Sequence, residues 1–129
     1  MSNFLSNFEK ANKNAKRLSN KILIDGKLIS PSTDSKIKVV NPSTGESIGD
    51  APQCNKVDVD HAVKSSLNAF KQWKKIPARE RGRLVELGVR KLEERRGEIE
   101  TLLALDTGNA LRTQAKPETA ASIELTRMF

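Results

Sequence analysis

The chain has 129 residues, 36% of them hydrophobic and 30% charged, with four Phe, one Trp, no Tyr and a net charge of +7. A compact chain of this length buries roughly two-thirds of its unfolded surface, enough for one modest core, which excludes a large two-domain enzyme. With glycine counted the apolar share is about 41%, slightly under the usual 45–50%, so part of the chain is expected not to pack on itself.

Residues 1–21 carry Lys10, Lys13, Lys16, Arg17 and Lys21 against Glu9, which is most of the charge excess. Phe4, Phe8, Ala11, Ala15 and Leu18 recur at helical spacing, predicting a basic amphipathic N-terminal extension with its cations off the apolar face. It reads as a solvated segment docking loosely on the body or on another chain. A mitochondrial presequence is the sharper option, opposed by Glu9 and by the scarcity of Arg. Elsewhere the two signs interleave, so no nucleic-acid partner is expected.

Residues 22–50 change to short β-type runs. Ile22-Leu23-Ile24 and Lys27-Leu28-Ile29 flank Asp25-Gly26, the dipeptide favoured in a two-residue type I′ hairpin. After the break at Ser30-Pro31-Ser32, Ile37-Lys38-Val39-Val40 and Ser47-Ile48-Gly49 form a second hairpin around the turn Asn41 to Glu46.

From Asn55 the period is helical. Asn55 caps and Asp58 lies three residues on, as a capping box requires; Val59, Val63, Ser66, Phe70 and Trp73 then line one face. Pro77 starts a further helix whose Leu84, Leu87, Leu92, Ile99, Leu102 and Leu103 continue a buried stripe toward Gly108, with a kink or split at Gly97. Glu93, Glu94, Glu98 and Glu100 alternate with Arg90, Lys91, Arg95 and Arg96 as a solvated, ion-paired face. Pro117-Glu118 opens a last helix carrying Ala121, Ile123, Leu125 and Met128, and the stop at Phe129 lacks a Gly or polar cap.

Little in these elements carries chemistry. Cys54 is the single thiol, and one Cys with one His, His61, excludes an internal disulfide and a CxxC-type metal site. A helix N-terminus after Cys54 would favour its thiolate, but spacing places no base beside it, so a passive thiol in a reducing, cytoplasmic setting is expected. His61 is given no role. Lys74, Lys75, Arg79, Arg81 and Arg83 form a solvated corner between helices, without an aromatic platform for nucleic acid. No P-loop, no GxGxxG and no apolar run of membrane-spanning length occurs.

The order of the pieces says more. Lys21-Ile22-Leu23-Ile24-Asp25-Gly26-Lys27, Val39-Val40-Asn41-Pro42-Ser43-Thr44-Gly45-Glu46, Asp58-Val59-Asp60-His61-Ala62-Val63 with Ala69-Phe70-Lys71-Gln72-Trp73, Pro77-Ala78-Arg79-Glu80-Arg81, Leu92 to Ile99 and Leu105-Asp106-Thr107-Gly108 follow one another from residue 21 to the C-terminus. This series resembles the N-terminal region of NAD(P)-dependent aldehyde dehydrogenases. The resemblance implies an α/β family in which this segment is two β-hairpins followed by three to four α-helices, part of the cofactor-binding domain, with residues 1–21 an extension and 22–129 an incomplete family domain.

It also implies that a full-length form, a homo-oligomeric oxidoreductase, oxidises aldehydes to acids with NAD or NADP. The family's oxyanion Asn, cofactor-contacting Lys, general-base Glu and nucleophilic Cys lie beyond the matching region, so no catalytic residue carries over. Alone, the chain is expected to be inactive and to bind neither cofactor, its partner being the rest of the enzyme or a paralogous subunit. The alternative is a non-catalytic binding or scaffold module. The family's monovalent-cation site maps onto the carbonyls of Val39 and Val40 and the Asp106 carboxylate, with a helix-end cap the other reading of Asp106. Asn109-Ala110 departs from the family's usual Lys-Pro.

Overall fold

The computed structural model describes residues 2–128, with side chains from Leu5 onward; expectations about the Phe4 side chain and about Phe129 lie outside the described residues. In chain order the elements are α1 (Ser2–Leu18), β1 (Ile22–Ile24), β2 (Lys27–Ile29), β3 (Lys36–Val40), β4 (Ser47–Pro52), α2 (Lys56–Trp73), α3 (Ala78–Glu94), α4 (Arg96–Thr107), a π-helical turn (Leu111–Ala115) and α5 (Lys116–Met128). The strands form two separate antiparallel hairpins.

The first hairpin turns through Asp25 and Gly26 at φ of 54° and 71°, the left-handed pair that a type I′ turn needs, and buries Ile24. In the second, Lys36 faces Pro52 and Val39 faces Gly49, and the register slips between Val39 and Val40. Helix α2 begins as its sequence predicts. Asn55 Oδ1 accepts the Val57 and Asp58 N–H groups, and Asp58 Oδ2 accepts the Asn55 N–H at 3.2 Å. The Asp58 carboxylate also takes the Ser32 N–H at 2.9 Å, and Ser32 Oγ donates to Asn55 at 3.0 Å, so the Pro31-Ser32 break is stitched to the helix start.

The compact part of the chain centres on α4. Helix α1 packs along it, burying Ala11 completely. The approach is so close that a Cβ at Gly97 would collide with the Asn7 side-chain amide. Beside this contact, Asn14 Nδ2 donates to Glu98 Oε1 at 2.7 Å and Arg95 pairs with the same carboxylate at 2.6 Å. Helix α5 packs on α3, burying Val89 and Ile123, and Arg127 ties them together through Glu86 and Glu93 of α3 and Glu124 of its own helix. Ahead of α5, the π-helical turn is closed by the Ala115 N–H on the Ala110 carbonyl at 3.2 Å.

Three expectations are corrected. The break before α4 falls at Arg95 (φ −107°, ψ 9°), not at Gly97, which sits in the first turn of α4 and serves the approach of α1. Glu98 and Glu100 are not solvated: their side chains are 10% and 9% exposed, turned inward while Arg95 and Arg96 reach over them from the rim. The stripe of Val59, Val63, Ser66, Phe70 and Trp73 lies exposed, and Leu84, Leu87 and Leu92 are exposed too; only Ile99, Leu102 and Leu103 of the expected continuation are partly covered. Periodicity marks a face built to be covered, and no element among the described residues covers this one. On α5, Leu125 and Met128 are exposed while Ile123 is buried on α3, because these residues point in different directions around the helix.

Two predictions follow from the α1–α4 seam. Gly97→Leu should force α1 off α4 and cost about 1–3 kcal/mol by overpacking. Gly97→Ala should stay near neutral, because displacement of the flexible Asn7 side chain offsets the helix-propensity gain of up to about 1 kcal/mol; urea unfolding of both variants measures this. Glu98 is held below the ordinary glutamate range, chiefly by its hydrogen bonds to Arg95, against burial and with help from Asn14 and Lys10. A carboxyl lowered on folding stabilises above its unfolded value of about 4 and loses that contribution as pH falls through the folded value. The urea midpoint should therefore fall in acid, and Glu98→Gln, less stable at pH 7, should flatten that dependence.

Candidate functional site

Two short motifs, sixty residues apart in the chain, meet at the C-terminal end of α4. The first is the β3–β4 turn. Asn41 organises it by accepting the Ser43 N–H on its side chain at 2.9 Å and the Gly45 N–H on its carbonyl at 2.8 Å, while its own N–H donates to the Glu46 carbonyl at 2.9 Å. Gly45 takes the left-handed φ of 74° that closes the loop. The second motif is Asp106-Thr107-Gly108. Thr107 Oγ1 donates back to the Leu103 carbonyl at 2.7 Å, and Gly108 ends the helix at φ 74° with its N–H on Ala104. Only a hydrogen fits on the inner side of Gly108, since a Cβ there would lie 2.8 Å from Pro42 Cγ. Beyond it, Asn109 Nδ2 donates to Glu118 and Gln114 Oε1 accepts the Ala110 N–H, fixing the connection to the π-helical turn.

Behind this junction lies a groove of about 420 Å³ between α1, the second hairpin and α4, lined by Leu18, Val39, Ile48, Leu102, Leu103 and Asp106 among others. The Asp106 carboxylate is exposed and makes no hydrogen bond or ion pair among the described residues, so it does not act as a side-chain cap. The Val39 carbonyl accepts only the Ser47 hydroxyl, at 3.4 Å, as a side-chain contact. Val39 and Asp106 therefore share one groove; Val40, across the register slip, does not line it.

The remaining chemistry-bearing residues are not brought together. Cys54 is exposed in the β4–α2 connector, beside a small recess shared with Ile22, Leu23, Ile24 and Asp58, and makes no hydrogen bond among the described residues. His61 is exposed on α2, and its charge helps to lower the Asp58 carboxyl; burial pushes that carboxyl up, but the N–H groups of Ser32 and Asn55 outweigh burial and the net shift is downward. Arg83 is engaged by Glu80 and Arg81 by the Ile76 carbonyl, so the basic corner is partly self-satisfied. No group of three or more His, Cys, Asp or Glu side chains converges to hold a metal among the described residues, and no described helix is long and apolar enough to cross a membrane. Sequence reasoning missed the Asn14–Glu98–Arg95 cluster and the π-helical turn. For the first, a Glu on the Gly97 side of α4 was the available signal.

The model of the aldehyde dehydrogenase family matches residues 29–129, covering both motifs and the groove between them. The chain belongs to the aldehyde dehydrogenase family. Among its relatives, aldehyde dehydrogenase (NAD(P)+) 2 of Saccharomyces cerevisiae is 39% identical over 101 residues, 77% of this chain and 20% of the relative. Malonate-semialdehyde dehydrogenase 2 of Shouchella clausii is 34% identical over 101 residues, 78% of this chain and 21% of the relative. Of solved structures, the NAD-dependent benzaldehyde dehydrogenase of Corynebacterium glutamicum superposes with a TM-score of 0.78 at 28% identity, over 84% of this chain and 24% of that one. HpcC of Thermus thermophilus shares the fold, with a TM-score of 0.88 at 23% identity over 96% of this chain and 24% of its own. This chain thus spans about a fifth of the length of these curated relatives.

The packing of Gly108 on Pro42 is what joins the two family motifs. Gly108→Ala should cost about 1–3 kcal/mol through its left-handed φ and the Pro42 contact. Pro42→Ala in the same chain should recover part of that loss, giving a non-zero coupling energy in a double-mutant cycle of urea unfolding.

Proposed function

We propose that this chain is the N-terminal portion of an NAD(P)-dependent oxidoreductase that converts aldehydes to carboxylic acids, forming part of its cofactor-binding domain. The observation that carries the reading is the family match across residues 29–129, within which the Asn-Pro turn and the Asp-Thr-Gly helix end pack on each other. Relatives named for NAD(P)+ or NAD support one of those dinucleotides as the cofactor of the full-length form. The 129 residues alone are inactive on this reading, since Cys54 has no base as a hydrogen-bond partner among the described residues and the resemblance assigns the family's catalytic groups to later sequence. Residues 1–21 are the extension and 22–129 the incomplete domain; the full-length form is a homo-oligomer in a reducing, cytoplasmic setting, for which the lone thiol is the support.

A monovalent cation would be held by the Val39 and Val40 carbonyls and the Asp106 carboxylate. Hard cations are held by oxygen ligands such as these, and an exposed carboxylate that shares a groove with Val39 suits them. Its chemistry here is structural: it would neutralise Asp106 and draw the second hairpin onto the end of α4. The non-catalytic alternative, a module that binds a full-length paralogue, finds its support in the exposed face of α2.

A chimera tests the main reading. Residues 29–129 replace the matching segment of the Saccharomyces cerevisiae relative, and NAD(P)-dependent aldehyde oxidation is followed. Activity within about tenfold of the parent is expected, with none from the isolated chain; a folded chimera without turnover overturns the reading. Exchanging K+ for tetramethylammonium should lower the chimera's thermal midpoint, and Asp106→Asn should abolish that response. An unchanged response removes the cation assignment.

A further inference from the structure

Helix α1 has two sides with different chemistry. Toward α4 it presents Asn7, Ala11 and Asn14, the small and amide side chains of the seam. The opposite side carries Leu5, Glu9, Lys13 and Lys16 at helical spacing, with Lys10 and Arg17 on its flank, all of them exposed. Leu5 is 58% exposed. Lys10 lies near enough to Glu98 to favour its charged form, and Arg17 Nε donates to Asn14 Oδ1 at 3.2 Å. Lys13 and Lys16 make no hydrogen bond or ion pair among the described residues.

On α3 and α4 many cations are matched within three or four residues: Arg83 by Glu80, Arg90 by Glu86, Lys91 by Glu94, Arg95 by Glu98 and Arg96 by Glu100. Nothing similar forms on α1. Glu9, its one acid, stands four residues before Lys13, the spacing and order of a favourable pair, yet the two make no ion pair among the described residues. With four cations and one carboxylate, α1 keeps a net charge of +3. The outward side lacks the apolar centre of a protein interface, since Leu5 is its single large apolar residue. It has no aromatic ring on which a base would stack, because Phe8 turns to the recess between the β3–β4 turn and the end of α4. A bilayer of anionic lipid needs neither feature: its mobile headgroups gather under fixed cations, and its interfacial layer accepts a lone aliphatic side chain.

We propose that the outward side of α1 is a peripheral binding surface for anionic phospholipid, with Lys10, Lys13, Lys16 and Arg17 over the headgroups and Leu5 in the interfacial layer. Helix α1 stays docked on α4 in this contact, since Ala11 and Asn14 point the other way. No membrane-spanning segment is involved, and the surface is independent of the aldehyde dehydrogenase assignment. A cation beside an anionic bilayer gains roughly fivefold in partition, so the net charge of +3 on α1 corresponds to about a 10²-fold preference over neutral lipid.

The test is co-sedimentation of the 129-residue chain with vesicles of phosphatidylcholine, either alone or with about 30% phosphatidylserine. Partition onto the anionic vesicles should be about 10²-fold higher at low salt and should fall steeply as salt rises. Lys13→Glu with Lys16→Glu should abolish the preference, and Glu9→Lys should raise partition at least about tenfold, a gain that no folding defect produces. Lys64→Glu with Lys71→Glu on α2 makes the same change in net charge and should leave partition within about threefold. Leu5→Ser should weaken it about fivefold. Equal partition onto neutral vesicles, or equal losses from the α1 and α2 double variants, overturns the proposal. So does Leu5→Ser without effect, and so does equally tight binding of duplex DNA or polyglutamate that is lost with Lys13→Glu and Lys16→Glu, which makes α1 a site for polyanions in general.

Discussion

Helix α4 is approached closely at both ends, by the flexible Asn7 side chain at Gly97 and by the Pro42 ring at Gly108. The first approach brings α1 down along the helix and buries Ala11; the second brings the β3–β4 turn onto its C-terminal end. Both glycines therefore act by what they lack, and only Gly108 also needs its conformational freedom, at φ 74°. The groove that contains Val39 and Asp106 is the space left between these two contacts. Its shape depends on how far α1 and the turn can close on α4, which is why the family's Asn-Pro and Thr-Gly motifs must be understood as one packing unit.

The buried core around this unit is small. Val89, Ile123 and Ile24 are the larger buried aliphatics, and several positions that ought to be apolar are polar: Glu98, Glu100, Thr101 and Thr119 are all buried. Glu98 is kept charged by Arg95 and Asn14, and Thr101 returns its hydroxyl to the Gly97 carbonyl, so these two are satisfied locally, whereas the buried Thr119 hydroxyl has no hydrogen-bond partner among the described residues. Such a core supplies register more than it supplies stability. A buried carboxylate between α1 and α4 admits few alternative pairings, whereas the aliphatic residues that would add stability, on α2 and α3, face outward.

Local devices were legible in the sequence. Asp25-Gly26 specified a left-handed turn, Asn55 with Asp58 specified a helix start, and Pro77 marked the start of α3, because each acts through its own backbone within a few residues. The family motifs were legible as a series, but not their contact, since nothing in Pro42 or Gly108 taken singly shows that a ring lies where a Cβ would go. Burial was legible only in part. The 3.6-residue period of Val59, Val63, Phe70 and Trp73 states that a face is apolar and is silent on whether the covering surface belongs to the same 129 residues. The inward turn of Glu98 and Glu100 was hidden for a related reason: an i,i+3 or i,i+4 ion pair has the same spacing whether its acid points to water or to a neighbouring helix.

The distribution of charge connects these two misreadings. On α4 Glu98 and Glu100 lie inward under arginines that reach over them, so these two acids are matched locally. Between Asp60 and Glu80 the chain has cations only, around an apolar face that is open. The net charge of +7 therefore has two origins: an N-terminal helix whose basic side chains flank its packing on α4, and an α2–α3 corner in which Lys64, Lys71, Lys74, Lys75 and Arg79 make no ion pair among the described residues.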